Sequence, residues 1–328
     1  MQTDNFRDDF HNEIMLEYEK IRENNRTSQE EIKKQVYAHF PRIKEIDEEL
    51  NSAALNSCKD ILNKSVSPQQ IIENLKSKTN KLINEKNEIL ASAGLSDDCM
   101  EETFNCSLCR DTGWNGSGKC KCYHEKMRKL IQQKSNISAD RMHCFDKFNI
   151  NLYSDEPDSE YGISPKENAK AILDTAIHFA KSDGNSSKQL LFYGNTGLGK
   201  TFTSECIARE FIKNGRDVFY TSAPKLFTIF EDYKFGRNTS ENAKKTIDYI
   251  SNVELLIIDD LGTEFRTQYI DSILFDIVNT AVSENRYMII STNLTPDQLE
   301  STYSPRISSR ILGNFETVLF LGEDIRLK

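Results

Sequence analysis

The residues Gly194-Asn195-Thr196-Gly197-Leu198-Gly199-Lys200-Thr201 constrain this chain more than any other stretch. They match Gly-x4-Gly-Lys-Ser/Thr and lie between the apolar run 189–193 and a helical stretch, 202–213. Such a loop needs a strand to deliver it and a helix N-terminus to complete it. The glycines let backbone N–H groups converge on phosphate oxygens, and the helix dipole adds attraction for the anion. Within this cradle Lys200 is expected to reach the β- and γ-phosphates of ATP, and the Thr201 hydroxyl to bind Mg2+.

The surrounding pattern agrees with that demand. QLLFYG (189–194), VFYTS (218–222), LLIIDD (255–260), YMIIST (287–292) and TVLFL (317–321) are short, apolar, and rich in β-branched or aromatic residues. Each is followed by turn residues or a helical stretch, so they read as five buried parallel strands joined by helical crossovers in a three-layer α/β domain. The run 255–260 carries Asp259 and Asp260 to the C-terminal strand edge, where ligands bind in such sheets. Asp259 is expected to hold magnesium through water, and Asp260 to orient or deprotonate the attacking water. Asn293, just past the strand 287–292, offers a neutral amide that can position water against the γ-phosphate. The polar stretch 182–187 reads as a loop ahead of the first strand.

Charge divides the chain. Residues 106–134 hold seven basic and two acidic side chains, whereas the 328-residue whole carries a formal net charge of −9. A uniformly basic nucleic-acid coat is excluded and a local basic patch is not. The basic interval is also the cysteine-rich one: Cys106-x2-Cys109-x10-Cys120-x-Cys122 places four thiols within seventeen residues. A Cys-x2-Cys knuckle pre-forms two corners of a tetrahedral zinc site, and Gly113, Gly116 and Gly118 allow the return. The second half is tighter than usual, so His124 is a possible substitute for Cys120 or Cys122. The metal is expected to be structural, with free thiols or a redox pair as the alternative. Arg110, Lys119, Lys121, Lys126, Arg128 and Lys129 around the module are equally a phosphate-binding face or a solvated one. Cys58, Cys99, Cys144 and Cys206 lack ligand spacing and read as small buried hydrophobes.

The first hundred residues read as helices. Ser28 with Glu31 fits a capping box ahead of Ile32, Val36, Tyr37 and Phe40, and Pro41 should end that helix. A second stripe runs through Ile43, Ile46, Leu50, Ala54, Leu55, Ile61 and Leu62. Ser67-Pro68 starts a third, through Ile71, Ile72, Leu75, Leu82, Ile89 and Leu90 to Gly94. The stripes suit a bundle core, or one stripe docked on a partner. The expected division is 1–98 helical, 99–135 zinc module, 136–328 ATP-binding domain with a minimal lid. No run approaches the ~18 apolar residues of a membrane span and the N-terminus lacks a secretory layout, so a soluble cytoplasmic protein without a membrane role is expected.

The phosphate loop (Walker A), the apolar strand ending in Asp-Asp, the Asn-bearing strand and the downstream arginines resemble an AAA+ ATPase. IIDDLGTE (257–264), STNL (291–294), RISSR (306–310) and CFDKFNINLYS (144–154) resemble bacterial helicase loaders of the DnaC/DnaI type and their IstB-like relatives. The resemblance covers roughly 106–328. It implies that Arg310, or else Arg306, is an arginine finger donated to a neighbouring subunit's ATP, and that Arg326 touches phosphates in cis. It further implies self-association, a hexameric replicative helicase as partner of the N-terminal helices, and single-stranded DNA as ligand. Aromatics interleaved with cations follow the second strand (Phe227, Phe230, Tyr233, Lys234, Phe235, Arg237), of which Tyr233, Lys234 and Phe235 suit base stacking and backbone contact. Asp260 stands where AAA+ proteins commonly carry Glu, which implies slow hydrolysis. The alternatives are an IstB-like transposition ATPase acting on duplex DNA, and a phage or plasmid replication adaptor that binds ATP with little hydrolysis.

Overall fold

A computed structural model describes residues 4–62, 68–116, 118–137, 143–181 and 187–327. Ser67, residues 182–186, and the side chains of Ala54, Leu55, Cys58, Ile61, Leu62, Ile71 and Ile72 lie outside the described part. The chain forms two compact units, residues 13–122 and residues 1–12 with 123–328.

In the unit 13–122 the helices are α1 (Asp4–His39, entering from residue 4), α2 (Pro41–Leu62) and α3 (Pro68–Ser92). Ser28 is not a cap: α1 runs through it without a break, because Ile14 and Tyr18 extend the buried stripe well before Ile32. Ile32 itself is solvent-exposed, and the core is built instead by Val36, Ile43, Leu90 and Met100 with Tyr37, Phe40 and Ile89 against them. Pro41 does separate two helices, Pro68 does open the third, and Gly94 follows it with φ +71°, a left-handed value that glycine adopts without strain. Across α2 and α3, Arg42 grips both oxygens of Glu85 (2.7 and 3.2 Å) and Lys86 meets Asp47 (2.7 Å). Downstream, β1 (Trp114–Asn115) and β2 (Gly118–Lys119) make a minimal antiparallel hairpin inside the cysteine-rich stretch.

The second unit is the α/β domain. In chain order it contains α4 (Lys121–Lys134, from residue 123), α5 (Pro165–Lys181), β3 (Gln189–Gly194), α6 (Lys200–Lys213), β4 (Val218–Ser222) and α7 (Ala223–Lys234). It continues through α8 (Glu241–Asn252), β5 (Leu255–Leu261), α9 (Gln268–Ser283), β6 (Tyr287–Thr292), α10 (Pro296–Thr302), α11 (Pro305–Asn314) and β7 (Glu316–Phe320). All five strands expected from the sequence form, all parallel, in the order β4-β5-β6-β3-β7. Their side chains are buried on both faces because α5 and α6 form one helical layer, while α7 packs with α8 and α9, and α9 with α11. Tyr193 of β3 pairs with Thr292 of β6, and Leu261 of β5 pairs with the same Thr292, so three strand ends reach one edge. The free side of the edge strand β4 is taken by the segment after α4: Tyr220 N–H donates to Ser135 O (3.0 Å), and Asn136 Nδ2 donates to Tyr220 O (3.0 Å). Among the described residues no helix is long and apolar enough to cross a membrane.

Candidate nucleotide-binding site

The Gly194–Thr201 loop joins β3 to α6, and its three glycines all take positive φ (135°, 75° and 95°). At Gly194 the conformation is enforced by packing, since a Cβ there would overlap the Phe320 carbonyl of β7. Gly199 is the residue before α6, so the loop's N–H groups converge at a helix N-terminus. Lys200 is buried, with its ammonium donating to Gly194 O and Asn195 O (2.6 Å each) and to Asn293 Oδ1 (2.9 Å). Burial lowers its pKa, opposed by Asp260 and Asp259. The loop, the end of β6 and the lysine therefore meet at one point.

Asp259 is buried at the end of β5 and accepts from three hydroxyls: Thr201 (2.9 Å), Tyr220 and Ser291. Asp260 points into the cleft with φ +56°, at a register shift of β5 against β6, and its N–H donates to Ser291 Oγ (3.0 Å). A left-handed backbone is tolerated by Asp better than by most residues with a Cβ, which is a backbone reason for the shorter acid here. Burial and then Asp259 raise the Asp260 pKa. The turn beyond is fixed by Glu264, which accepts from Gly262 N–H (2.8 Å) and from the Tyr303 hydroxyl.

The cleft has a volume of about 550 Å3. It is walled by aromatics from the segment ahead of α5: His143 stacks on Phe202 (4.4 Å), and Phe148 meets Phe202 edge-on (5.9 Å). Tyr153 donates to Leu198 O (2.9 Å), tying that wall to the loop, and burial pushes its phenol up to about 12. This wall can cover a flat heterocycle while the loop holds its phosphates. CFDKFNINLYS thus belongs to the site, in two short 3-10 turns (Phe145–Lys147 and Ile150–Leu152).

Arg326 lines the cleft and pairs with Asp324 (2.6 Å), whose carboxyl the arginine holds down at about 2. Ile325 N–H donates to Gly197 O (3.0 Å), so the last segment lies against the loop. Arg310 and Arg306 are exposed on α11 and do not line this cleft. Tyr220 and Asp324 belong to no motif in the sequence. Tyr220 had a signal in its place two residues before the end of a strand adjoining β5, and Asp324 had none. Of the aromatic series after β4, Phe227 is buried, Tyr233 is half-buried, and Lys234 and Phe235 are exposed.

The four cysteines Cys106, Cys109, Cys120 and Cys122 converge, all Sγ atoms lying within 4.8 Å of one another. Tetrahedral zinc with ~2.3 Å bonds to sulfur requires S···S separations of about 3.8 Å. Cys106–Cys120 is 3.8 Å and Cys109–Cys122 is 3.4 Å, so the residues fit such an ion. His124 is exposed and stands outside the cluster. The knuckle is built by the buried Asp111, whose carboxylate accepts from Asn105 N–H and Cys106 N–H (2.8 Å each). Tyr18 reaches Cys122 Sγ at 2.9 Å. Of the remaining cysteines with described side chains, Cys206 is buried as expected, while Cys99 and Cys144 are only partly so.

A parallel sheet in this strand order, with the glycine–lysine–threonine loop after β3, paired aspartates at the end of β5 and an asparagine past β6, has the layout of a P-loop nucleotide-binding domain. Residues 162–317 match the family profile described as the bacterial DnaA ATPase domain. The chain is similar to bacterial replicative helicase loaders of the DnaC/DnaI type. It is 24% identical over 256 residues to the replicative helicase loader DnaI of Bacillus subtilis, covering 70% of this chain and 78% of that one. Against the loader DnaC of Escherichia coli K12 the figures are 23% over 202 residues, 61% and 81%. A crystal structure of DnaI superposes with a TM-score of 0.45 at 21% identity, over 60% of this chain and 100% of that one.

Proposed function

We propose that this chain is an ATP-dependent loader of a hexameric replicative helicase onto single-stranded DNA at replication initiation. The carrying observation is the meeting of Lys200, Thr201, Asp259, Asp260 and Asn293 at one sheet edge, in a chain similar to proteins named as such loaders. Lys200 binds the β- and γ-phosphates, and Thr201 and Asp259 hold magnesium. Asp260 and Asn293 position the attacking water, and the short acid at 260 makes turnover slow. Arg326 contacts phosphate in cis after exchanging Asp324 for it. Arg310, exposed and away from its own cleft, supplies charge to the ATP of the next subunit in an oligomer, with Arg306 as the less favoured donor. Tyr233, Lys234 and Phe235 face the DNA strand. The four cysteines hold zinc, which folds the hairpin around them, and the N-terminal helices grip the helicase. ATP state shifts the population between gripping and released forms, which requires different affinity in the two.

The direct test is native mass spectrometry of the full chain mixed with the host's replicative helicase, with and without ATP and Mg2+. The expected species is a helicase hexamer carrying several copies of this chain. Absence of any such complex under both conditions rejects the loader reading.

Tyr220 should tune the metal ligand. Its hydroxyl donates to Asp259 from a buried position, and burial followed by the Asp259 charge raises its pKa. Removing a group that orients a metal ligand typically costs about 10–100-fold in metal affinity or activity. Tyr220→Phe is therefore expected to lower Mg2+-dependent ATP hydrolysis at least about tenfold, with ATP binding in EDTA unchanged. A Mg2+ titration of hydrolysis checks it, and an unchanged curve removes Tyr220 from the site.

A further inference from the structure

Between α4 and α6 the surface carries a depression of about 450 Å3 lined by Glu125, Arg128, Lys129, Gln132, Arg209, Ile212 and Lys213. On α4 the lining residues fall at i, i+3, i+4 and i+7, and on α6 at i, i+3 and i+4, so each helix turns one stripe into the same hollow. Four cations thus stand together in a chain of net charge −9, with one acid on the wall and Glu210 beside Lys213 at 3.4 Å. The sequence placed Arg128 and Lys129 in a basic interval without deciding their use. Only the fold adds Arg209 and Lys213, eighty residues away, to them.

We propose that this depression binds the phosphodiester backbone of a nucleic-acid strand, as a contact separate from the nucleotide cleft and from Tyr233, Lys234 and Phe235. Mixed arginine and lysine, with a glutamine donor, suits phosphate oxygens. The lining contains no aromatic residue, and its one apolar member, Ile212, is buried in the floor. Neither base stacking nor the apolar centre of a protein interface is provided, so the contact is electrostatic and indifferent to sequence. The contact stands on the charge geometry of α4 and α6 and does not depend on the loader reading.

The experiment is fluorescence anisotropy of a labelled 20-nucleotide oligo-dT and of a 20-bp duplex, titrated with the full chain from 50 to 200 mM salt. Each phosphate contact adds about 0.7 to the slope of log K against log[salt] for single strands and about 0.9 for duplex. The variant Arg128→Ala/Lys129→Ala/Arg209→Ala/Lys213→Ala should lower that slope by about 2–3 and the affinity at 0.1 M salt by about 100-fold. The substrate that loses slope identifies single strand or duplex. Arg128→Lys/Arg209→Lys should keep the slope, and the single exposed change Lys129→Glu should lower it by at least about 0.7 without threatening the fold. Unchanged slopes in the fourfold variant on both substrates, or lost affinity at constant slope, overturn the proposal. ATP binding and the helicase complex are read in parallel and should be unaffected, so a failure here is distinct from a failure of the loader reading.

Discussion

Lys200→Ala should abolish useful ATP binding, weakening it by a factor of about 100 or more, while leaving the fold intact. The ammonium is buried among two loop carbonyls and the Asn293 amide, a position from which it can turn toward the β- and γ-phosphates. A hydrogen bond to a charged partner contributes about 1.5–3 kcal/mol, and this group offers more than one to the phosphates. Two such bonds correspond to at least two decades in the dissociation constant. The folded apo protein should hardly notice, because the truncation relieves the desolvation that lowers the lysine pKa, and water can satisfy the carbonyls facing the cleft. Isothermal titration with ATP and Mg2+ gives the affinity, and a thermal melt without nucleotide gives the control. A variant that binds ATP within threefold of wild type would remove the phosphate loop from the site. One that binds poorly yet still loads the helicase would remove ATP from the control of loading.

The second large effect concerns the cysteine cluster. Two-residue strands and a few turns cannot fold unaided. Binding of structural zinc contributes on the order of 10 kcal/mol in small modules, comparable with the whole stability of a domain, about 5–15 kcal/mol. Elemental analysis should therefore find one zinc per chain, and a strong chelator or Cys109→Ser should unfold the hairpin. The readout is built in, because the sequence has one tryptophan, Trp114 in β1, with the Lys119 ammonium 3.7 Å above its ring. The ring is already 46% exposed in the folded hairpin, so the signal is release of the Lys119 ammonium from its face: emission intensity and the near-ultraviolet circular dichroism of Trp114 should change on metal loss, while ATP binding persists. A chain free of zinc whose Trp114 emission is indifferent to chelator would leave four thiols without a metal role.

Much of the nucleotide site was legible because its parts are short and local. The loop from Gly194 to Thr201 announces itself by spacing, and apolar runs of four residues, one leading to Asp259-Asp260 and one through Ser291-Thr292 to Asn293, locate the neighbouring strand ends. What was not legible depends on residues far apart in the chain. The aromatic wall of His143, Phe148 and Tyr153 has no periodicity and becomes part of the cleft only by packing on Phe202 and Leu198. Ser28 matches a capping box without being a cap, because that pattern is local, whereas helix α1 is carried through it by buried residues on either side.

The sequence by itself determined that this chain builds a parallel α/β sheet around a phosphate loop, with four thiols spaced for one metal, since each is written in local pattern: short apolar runs followed by turn or helix signals, the glycine–lysine–threonine spacing, and a cysteine spacing closed within seventeen residues. The tertiary structure alone decided the strand order that brings Lys200 to Asn293 and Tyr220 to Asp259. It alone placed Arg326 against Asp324 beside the loop, kept Arg310 and Arg306 out of their own cleft, and joined the cations of α4 to those of α6. The physical reason is that periodicity encodes which face of an element is buried but not which element covers it. That choice is made by the summed packing of all the faces at once.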